Sequence, residues 1–337
     1  MPGQRLLEGA LEIALSNVLR TLRRRVLTPG IGETKLDRRG FHVKSPDARK
    51  LLETIGEMFL AGYAHAAEAA SVRAAEERLE QIPERFRGFA YEGAAMGFTV
   101  VDALPFSGGG RVAGLLAGRG DRHVYMVYVG IGWAMARLPR FRWPDEPLDP
   151  LLRWLVLDGY GFHQAYFRTE RYVRRKWRDP AFPWPADDFT GYAGRAIDQG
   201  VGRALWFVAG ADADLVTRMI DDFPPSRRAD LYSGAGLAAT YAGGADEDEL
   251  RGFFKRAGEH RPQVAQGSAF AAEARLRAGL LVPHTETATQ AICGMSPQEA
   301  ARICARTRPT GPVPGPWPAY ETWRRRIADE FATLGRC

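Results

Sequence analysis

The stretch Asp158-Gly159-Tyr160-Gly161-Phe162 contains a short sequence motif, called a figure below, that recurs along the chain. In each copy one residue precedes a glycine, and further small residues follow at short intervals. The central glycines of successive copies are 37, 29, 41, 34 and 33 residues apart, a period typical of stacked supersecondary units. A looser seventh copy is Phe59-Leu60-Ala61-Gly62-Tyr63. The six copies between Glu92 and Ala271 are Glu92-Gly93-Ala94-Ala95, Val129-Gly130-Ile131-Gly132, Asp158-Gly159-Tyr160-Gly161, Gln199-Gly200-Val201-Gly202, Ser233-Gly234-Ala235-Gly236 and Gln266-Gly267-Ser268-Ala269.

Each copy lies in a largely apolar segment that is long enough for a buried helix. A glycine inside a helix costs about 1 kcal/mol relative to alanine, so its repeated use indicates close helix approach or an approaching ligand. Glu92, Asp158 and Gln199 precede three of the glycines, and a polar group on an apolar helix needs a partner or a solvated cavity. Two interpretations remain open: inner helices that point these groups into a shared cleft, or a helical core in which small residues only permit tight packing.

These patterns predict a mainly α single domain of repeated helical units, forming a solenoid- or toroid-like array with an apolar interior cleft. We expect an N-terminal helix within 1–29, the repeat array over 47–306 and a C-terminal helix over 319–335. Helical periodicity runs from Asp47 to about Gln81. The stretch from His123 to Val129 alternates like a strand, but it could equally begin the second repeat helix.

Composition narrows the classes of protein that the chain can belong to. The formal net charge is +6 over 337 residues, but acidic residues are interspersed among the arginine clusters and no nucleic-acid-binding motif accompanies them. Three scattered cysteines, no leader pattern and no long apolar run predict a cytoplasmic protein. Residues 5–27 could form an amphipathic helix, which we expect to pack on the array, with membrane-surface contact as the alternative.

Common catalytic motifs are missing from the sequence. It has no Gly-x-Ser-x-Gly elbow, no Walker loop and no His-Glu-x-x-His pair, and its Gly-x-Gly pairs lack the third glycine of a dinucleotide site. The pairs Asp187-Asp188 and Asp221-Asp222 are isolated. We therefore expect no cofactor and no metal site within this chain.

The remaining candidates for chemistry are polar residues in or beside the figures. A buried carboxylate such as Glu92 can act as an acid or base. Asp158 and His163 lie five residues apart, and Gln199 and Arg203 share a helix face at a spacing of four, next to Asp198. The alternative for every group is a hydrogen-bonded contact between helices. Candidate catalytic residues are Glu92, Asp158, His163, Gln199 and Arg203, and the aromatic residues expected to contact an apolar substrate are Tyr91, Trp133, Tyr160, Phe162, Trp206 and Tyr232.

Taken in order, several segments resemble the UnbL-type enediyne biosynthesis family, also called domain-of-unknown-function family 1702. The likeness extends from Arg23 to Arg326, nearly the whole chain. The segments that carry it are Phe86 to Ala94, Tyr128 to Pro139, Leu157 to Phe162, Asp198 to Phe207 and Arg227 to Gly234. The family supplies no catalytic residues that could be assigned to positions of this sequence.

The resemblance implies a role after an iterative polyketide synthase, in turning a linear polyene into an enediyne core. It also implies two partners, a large UnbV-type protein and a membrane-embedded UnbU-type protein, so that peripheral association with a membrane partner is compatible with it. Because polyene-to-alkyne conversion removes hydrogen and this chain has no redox motif, we expect it to bind and orient the polyene while a partner supplies electrons or activation. The competing class is a non-catalytic helical scaffold that joins the soluble and membrane-bound members.

Overall fold

The structure is a computed structural model that describes residues 17–105, 107–143, 148–188 and 190–335. Of these residues 72% are helical and none lies in a strand, and the helices form one compact domain, as the sequence predicts. The α-helices are α1 (Leu36–Arg39), α2 (Pro46–Glu68), α3 (Val72–Leu79), α4 (Glu84–Asp102), α5 (Arg111–Ala117), α6 (Val124–Met135), α7 (Trp154–Phe167), α8 (Ala193–Val208), α9 (Ala213–Asp221), α10 (Pro225–Ala242), α11 (Glu247–Arg256), α12 (Arg261–Arg277), α13 (Pro283–Cys293), α14 (Pro297–Thr307) and α15 (Ala319–Thr333).

Shorter helical turns complete the described secondary structure. Residues 17–27 are helical, and the rest of the amphipathic helix predicted over 5–27 lies outside the described residues. The stretch with strand-like alternation belongs to a 3-10 turn and to the start of α6. The 3-10 turns are Ile31–Thr34, Arg119–His123, Arg140–Arg142 and Gly258–His260, and Glu170–Arg174 forms a π turn.

The stretch of helical periodicity from Asp47 to about Gln81 forms two helices, α2 and α3. Its start is as expected, because Pro46 occupies the first turn and the Ser45 side chain accepts a hydrogen bond from the Ala48 amide. The break comes at Ser71, whose side chain caps α3 through the Ala74 amide. A second good N-cap within a periodic stretch therefore restarts the helix at a new angle.

All six glycine figures lie on helices that pack against one another in chain order. Helices α2, α4, α6, α7, α8, α10 and α12 each contact the next, and we call them the core row. Between them the chain runs through α3, α5, residues 136–153, residues 168–192, α9 and α11, which carry more exposed charged side chains than the core row does. The figures therefore mark the successive helices of one continuous core.

One contact repeats at every step of the core row. From Gly130 onward, the first glycine of each figure lies against the backbone carbonyl of the residue just before the first glycine of the preceding figure. An added Cβ would come nearer than 3.0 Å to that carbonyl. In the first step the carbonyl belongs to Phe59, at the looser seventh copy. These pairs are Gly93 with Phe59, Gly130 with Glu92, Gly159 with Val129, Gly200 with Asp158, Gly234 with Gln199 and Gly267 with Ser233.

Where a figure has a second glycine, that glycine makes the matching contact with the following helix. Gly132 lies against the Val156 carbonyl, and Gly161 lies against the carbonyl of Ile197, two residues before Gln199. Gly202 of α8 and Gly236 of α10 make the same contact with the next helix of the core row. The glycines are therefore required by close backbone approach, which only a residue without a Cβ permits.

The core row also makes contacts between its two ends. The Tyr125 hydroxyl at the start of α6 donates to Glu273 of α12 at 2.8 Å. Arg275, which is completely buried on the same helix, donates to the Arg85 carbonyl at the start of α4 at 3.1 Å. Early and late helices thus enclose a common space.

Candidate functional site

Two apolar cavities lie inside the helical array, with 680 Å³ and 700 Å³ of space between their lining atoms, openings to solvent included. The first, cavity A, is lined by side chains from all six figure-bearing helices and from α15. The second, cavity B, lies between α2 and helices α4, α6, α7 and α8, beside the turn Ile31–Thr34. Cavity A is lined by Phe89, Tyr125, Met126, Val129, Leu155, Asp158, Arg203, Phe207, Leu237, Ala238, Tyr241, Ala242, Phe270, Ala271, Ala274, Tyr320 and Trp323.

The two cavities meet at three residues, Phe89, Arg203 and Phe207, which line both. Asp158 lines only cavity A and Glu92 lines only cavity B. Each cavity has partly exposed residues in its wall, which include Pro29 and Leu60 in cavity B and Phe270 and Ala274 in cavity A. Apolar cavities with a few polar groups in their walls are typical of small-molecule sites.

Arg203 joins the two carboxylates at this junction. Its Nη1 donates to Asp158 Oδ1, and its Nη2 lies 3.7 Å from Glu92 Oε1. All three residues are at most 6% exposed. We call Glu92, Arg203 and Asp158 the junction cluster.

Burial decides the protonation of the junction cluster. Loss of hydration raises the pKa of Glu92 to about 7; Arg203 works against that rise, whereas Asp158 adds to it. Burial likewise raises the pKa of Asp158, and Arg203 offsets it only in part. Since one guanidinium cannot neutralise two ionised carboxylates, Glu92 exchanges its proton near neutral pH. The cluster can therefore give or take a proton inside an apolar space.

His163, expected beside Asp158, lies elsewhere. Its ring contacts Trp133 and Phe167, and within the described residues its Nδ1 has no hydrogen-bond partner. Burial, with Arg137 and other nearby arginines, lowers its pKa to about 3, so the imidazole is neutral. No hydrogen bond joins it to Asp158 in the described part of the chain, because the two side chains leave α7 in different directions.

Gln199 also lies apart from the junction cluster, although it is four residues from Arg203. Its Nε2 donates to the Tyr192 hydroxyl at 3.1 Å and to Asp230 at 3.3 Å. Asp230 in turn binds Arg195 and Arg324, each at 2.8 Å. Burial opposes the ionisation of Asp230, but Arg324 and Arg195 outweigh it and lower its pKa. We call this second group, with Glu321, the distal network.

Asp198, the neighbour of Gln199, belongs to neither group. Its carboxylate accepts from Arg227 at 2.6 and 3.0 Å. Asp198, Gln199 and Arg203 of the same helix thus serve different partners. Sequence spacing alone could not assign them, because each partner comes from another helix.

The six aromatic residues expected to contact a substrate divide into two sets. Trp133 and Phe162 line cavity B, and Arg203 lies over the Phe162 ring at 5.1 Å. The other four line neither cavity A nor cavity B. Their side chains pack outward between helices: Tyr91 donates to Glu80 and stacks on His123, Tyr160 packs on Trp143 and Phe182, Trp206 donates to the Gly243 carbonyl, and Tyr232 donates to Asp221.

The sequence analysis missed other aromatic residues that line the cavities. Phe89, Phe207, Tyr241 and Tyr320 line cavity A, and the first two also line cavity B. Phe89 and Phe207 lie three residues before Glu92 and four after Arg203, on the same helix faces. That spacing from the polar candidates was the available signal.

Within the described ranges, no group of three or more His, Cys, Asp and Glu side chains could hold a metal ion. Nor does any helix among those residues have the length and apolarity needed to cross a bilayer.

Comparison with known proteins gives one match. A family model described as "Protein of unknown function (DUF1702)" matches residues 18–331. No curated protein and no solved structure matches the chain.

Proposed function

The chain belongs to the DUF1702 family, and from that membership and the cavity geometry we propose that it binds an elongated apolar molecule across cavities A and B. The observation that carries the proposal is the junction cluster, which places one carboxylate in each cavity and one arginine between them. A neutral chain fits these cavities better than an anion does, because the cluster has more acidic than basic groups.

The ligand that we propose is the linear polyene of enediyne biosynthesis. The resemblance to the UnbL-type proteins supports this choice, and so do walls built almost wholly of aromatic and aliphatic side chains. In this reaction the chain holds the polyene and ionised Glu92 accepts one proton from a carbon of the double bond. A two-electron acceptor on a UnbV-type or UnbU-type partner takes the second hydrogen with its electron pair as hydride, so that the double bond becomes a triple bond. Glu92 thereby provides the base, and the cavities exclude water from the reacting carbons.

Binding is tested with 1,6-diphenylhexatriene, a neutral linear polyene whose fluorescence rises in apolar surroundings. Ala274→Phe fills part of cavity A, and its matched control is Leu276→Phe, two residues further along α12 at an exposed position. We expect Ala274→Phe to weaken binding about tenfold or more, while the control binds like the wild type. Equal binding by both variants would refute cavity A as the ligand site.

The pathway is tested in a heterologous host that expresses the polyketide synthase, the two partner proteins and either the wild type or Glu92→Gln. The variant keeps the shape of the side chain but holds no exchangeable acid, so we expect the hydrocarbon polyene to accumulate. Full product formation with Glu92→Gln would remove the proton-transfer role.

The alternative is a non-catalytic scaffold within the same group of proteins. The distal network favours it, because Gln199, Asp230 and Glu321 are buried and satisfied by partners within the chain. Under this alternative, product formation would depend only on the amount of folded protein. Glu92→Gln and Ala274→Phe would then both support normal product levels.

A further inference from the structure

The helix formed by residues 17–27 has an unusual orientation on the domain. With a turn of about 100° per residue, Val18, Leu19, Leu22 and Val26 share an arc of roughly 100°. These side chains are 63, 65, 54 and 72% exposed, so the apolar face of this amphipathic helix points away from the protein.

The arginine-bearing side of the same helix is the side that contacts the domain. Arg23 donates to the carbonyls of Ala67 and Ala69, and Arg24 pairs with Glu68 at the end of α2. A surface helix normally buries its apolar face and exposes its charged one. The reversal leaves a continuous apolar stripe without a partner in the described structure.

The stripe leads to the opening of cavity B. Ile31, 57% exposed, extends it beyond the end of the helix, while Pro29 and Glu33 on either side lie in the cavity wall. Arg25 is exposed at the edge of the stripe, on the side of Val18. An apolar face bordered by a cation suits the interfacial region of an anionic bilayer, where apolar side chains enter the acyl boundary and arginine meets the headgroups.

We propose that the stripe of Val18, Leu19, Leu22, Val26 and Ile31 docks on an anionic lipid surface and brings the opening of cavity B to it. The docking proposal is inferred from the exposed stripe and does not depend on the proposed function. Its use, the transfer of an apolar ligand from lipid into cavity B without passage through water, rests on the proposed function.

The test is co-sedimentation of the full chain with vesicles made of equal parts phosphatidylglycerol and phosphatidylcholine, beside vesicles of phosphatidylcholine alone. We expect binding to the anionic vesicles, weakened by salt. The double variant Leu22→Glu with Val26→Glu should lower the partition by about tenfold or more, because it puts two charges into the apolar boundary. The matched control is Phe141→Glu, which changes the most exposed aromatic residue of another segment and should bind like the wild type.

Three outcomes would overturn the docking proposal. They are no sedimentation of the wild type, equal loss in the Phe141→Glu control, or a wild-type dimer in solution that Leu22→Glu with Val26→Glu dissociates without any vesicle binding. The last would assign the stripe to a second copy of the chain. Diphenylhexatriene binding in vesicle-free buffer separates the two proposals, because it depends on the cavities and should be the same in the stripe variants and the wild type.

Discussion

Arg203 sits between two carboxylates that compete for its single positive charge. Both acids are buried, and an ionised acid without a full counter-charge is costly in such surroundings. Protonation of Glu92 relieves that cost. The same property that suits Glu92 to proton exchange therefore makes the stability of the fold depend on pH.

The direction of that dependence follows from the pKa of Glu92, which rises from its usual 4.5 to about 7 on folding. Because the folded state holds the proton more tightly, the resulting stabilisation is complete below pH 4.5 and is lost as the pH rises through about 7. Glu92→Gln has no proton to lose. Between pH 4.5 and pH 8 we expect the wild type to lose on the order of 3 kcal/mol of unfolding free energy relative to this variant.

Thermal melts of both proteins across this range check the expectation. Glu77→Gln is the control, since Glu77 is 55% exposed and pairs with Arg73 on the surface. The melting temperatures of the control and the wild type should change in parallel with pH. If the melting temperatures of Glu92→Gln and the wild type also changed in parallel with pH, Glu92 would keep one protonation state over the whole range.

At the residue scale, the sequence was informative about which side chains matter and uninformative about their partners. Glu92, Asp158 and Arg203 were all candidates, because a polar group in an apolar helix is conspicuous. Asp158 and His163, five residues apart, make no hydrogen bond to each other in the described residues, and Gln199 and Arg203, although four residues apart on one face, bind different partners. The actual partners, Arg203 and Glu92, are 111 positions apart in the chain, and only helix packing brings them together.

The core helices approach one another at glycine-to-carbonyl contacts that leave no room for a methyl group. Backbones that come this close also allow weak Cα–H to carbonyl hydrogen bonds along the row. The glycine that costs helix propensity thus makes the packing of the next helix possible.

Two glycine-to-alanine changes separate these opposing effects. In Gly159→Ala the new Cβ meets the Val129 backbone, so helices α6 and α7 must move apart and we expect a loss of about 3 kcal/mol or more. In Gly252→Ala, on the outer helix α11, the nearest atoms are the flexible end of Arg256, at 3.1 Å. That change should stabilise the protein by about 0.5 to 1 kcal/mol.

Chemical denaturation of both variants measures the two free energies of unfolding. A mild effect of Gly159→Ala would show that the core helices can separate without cost. The close approach would then not explain the repeated figure.

At the scale of elements, the repeat period and the apolar segments predicted the helices, and the small residues predicted close packing. The register of that packing could not be obtained from the same pattern. The register depends on which backbone carbonyl each glycine faces. Glu92, Val129 and Ser233 all provide such a carbonyl, but their side chains have no chemistry in common that would reveal this shared role.

Arg275 holds the two ends of the core row together across the whole molecule. It is completely buried, and its hydrogen bonds go to the backbone carbonyls of Arg85, Tyr241 and Leu280. Its guanidinium also lies 4.1 Å from the centre of the Tyr241 ring, in the wall of cavity A. Burial lowers its pKa, so its charge is maintained at a cost that these acceptors offset.

Arg275→Lys tests this connection between α4, the second helix of the core row, and α12, the last. One ammonium cannot reach acceptors on three segments in the geometry of a planar guanidinium, so we expect a loss of about 2 kcal/mol or more and a melting temperature lower by several degrees. Arg277→Lys is the matched control on the same helix, because Arg277 is 33% exposed and pairs with Asp121 at the surface. Equal melting temperatures for the two variants would show that the ends of the row are held by other contacts.

The repeated glycine-to-carbonyl contact also determines where the gene can gain or lose codons. An inserted residue inside a core helix turns everything after it by about 100° and moves the glycine away from its carbonyl. An insertion in a connecting segment leaves every contact in place, and the intervals of 29 to 41 residues between central glycines already show such variation within one chain. Gly108, Gly109 and Gly110, where nothing lies within 4 Å of an added Cβ, form one such connection. An epitope or a fluorescent domain could be inserted there while the helices that enclose the cavities keep their register.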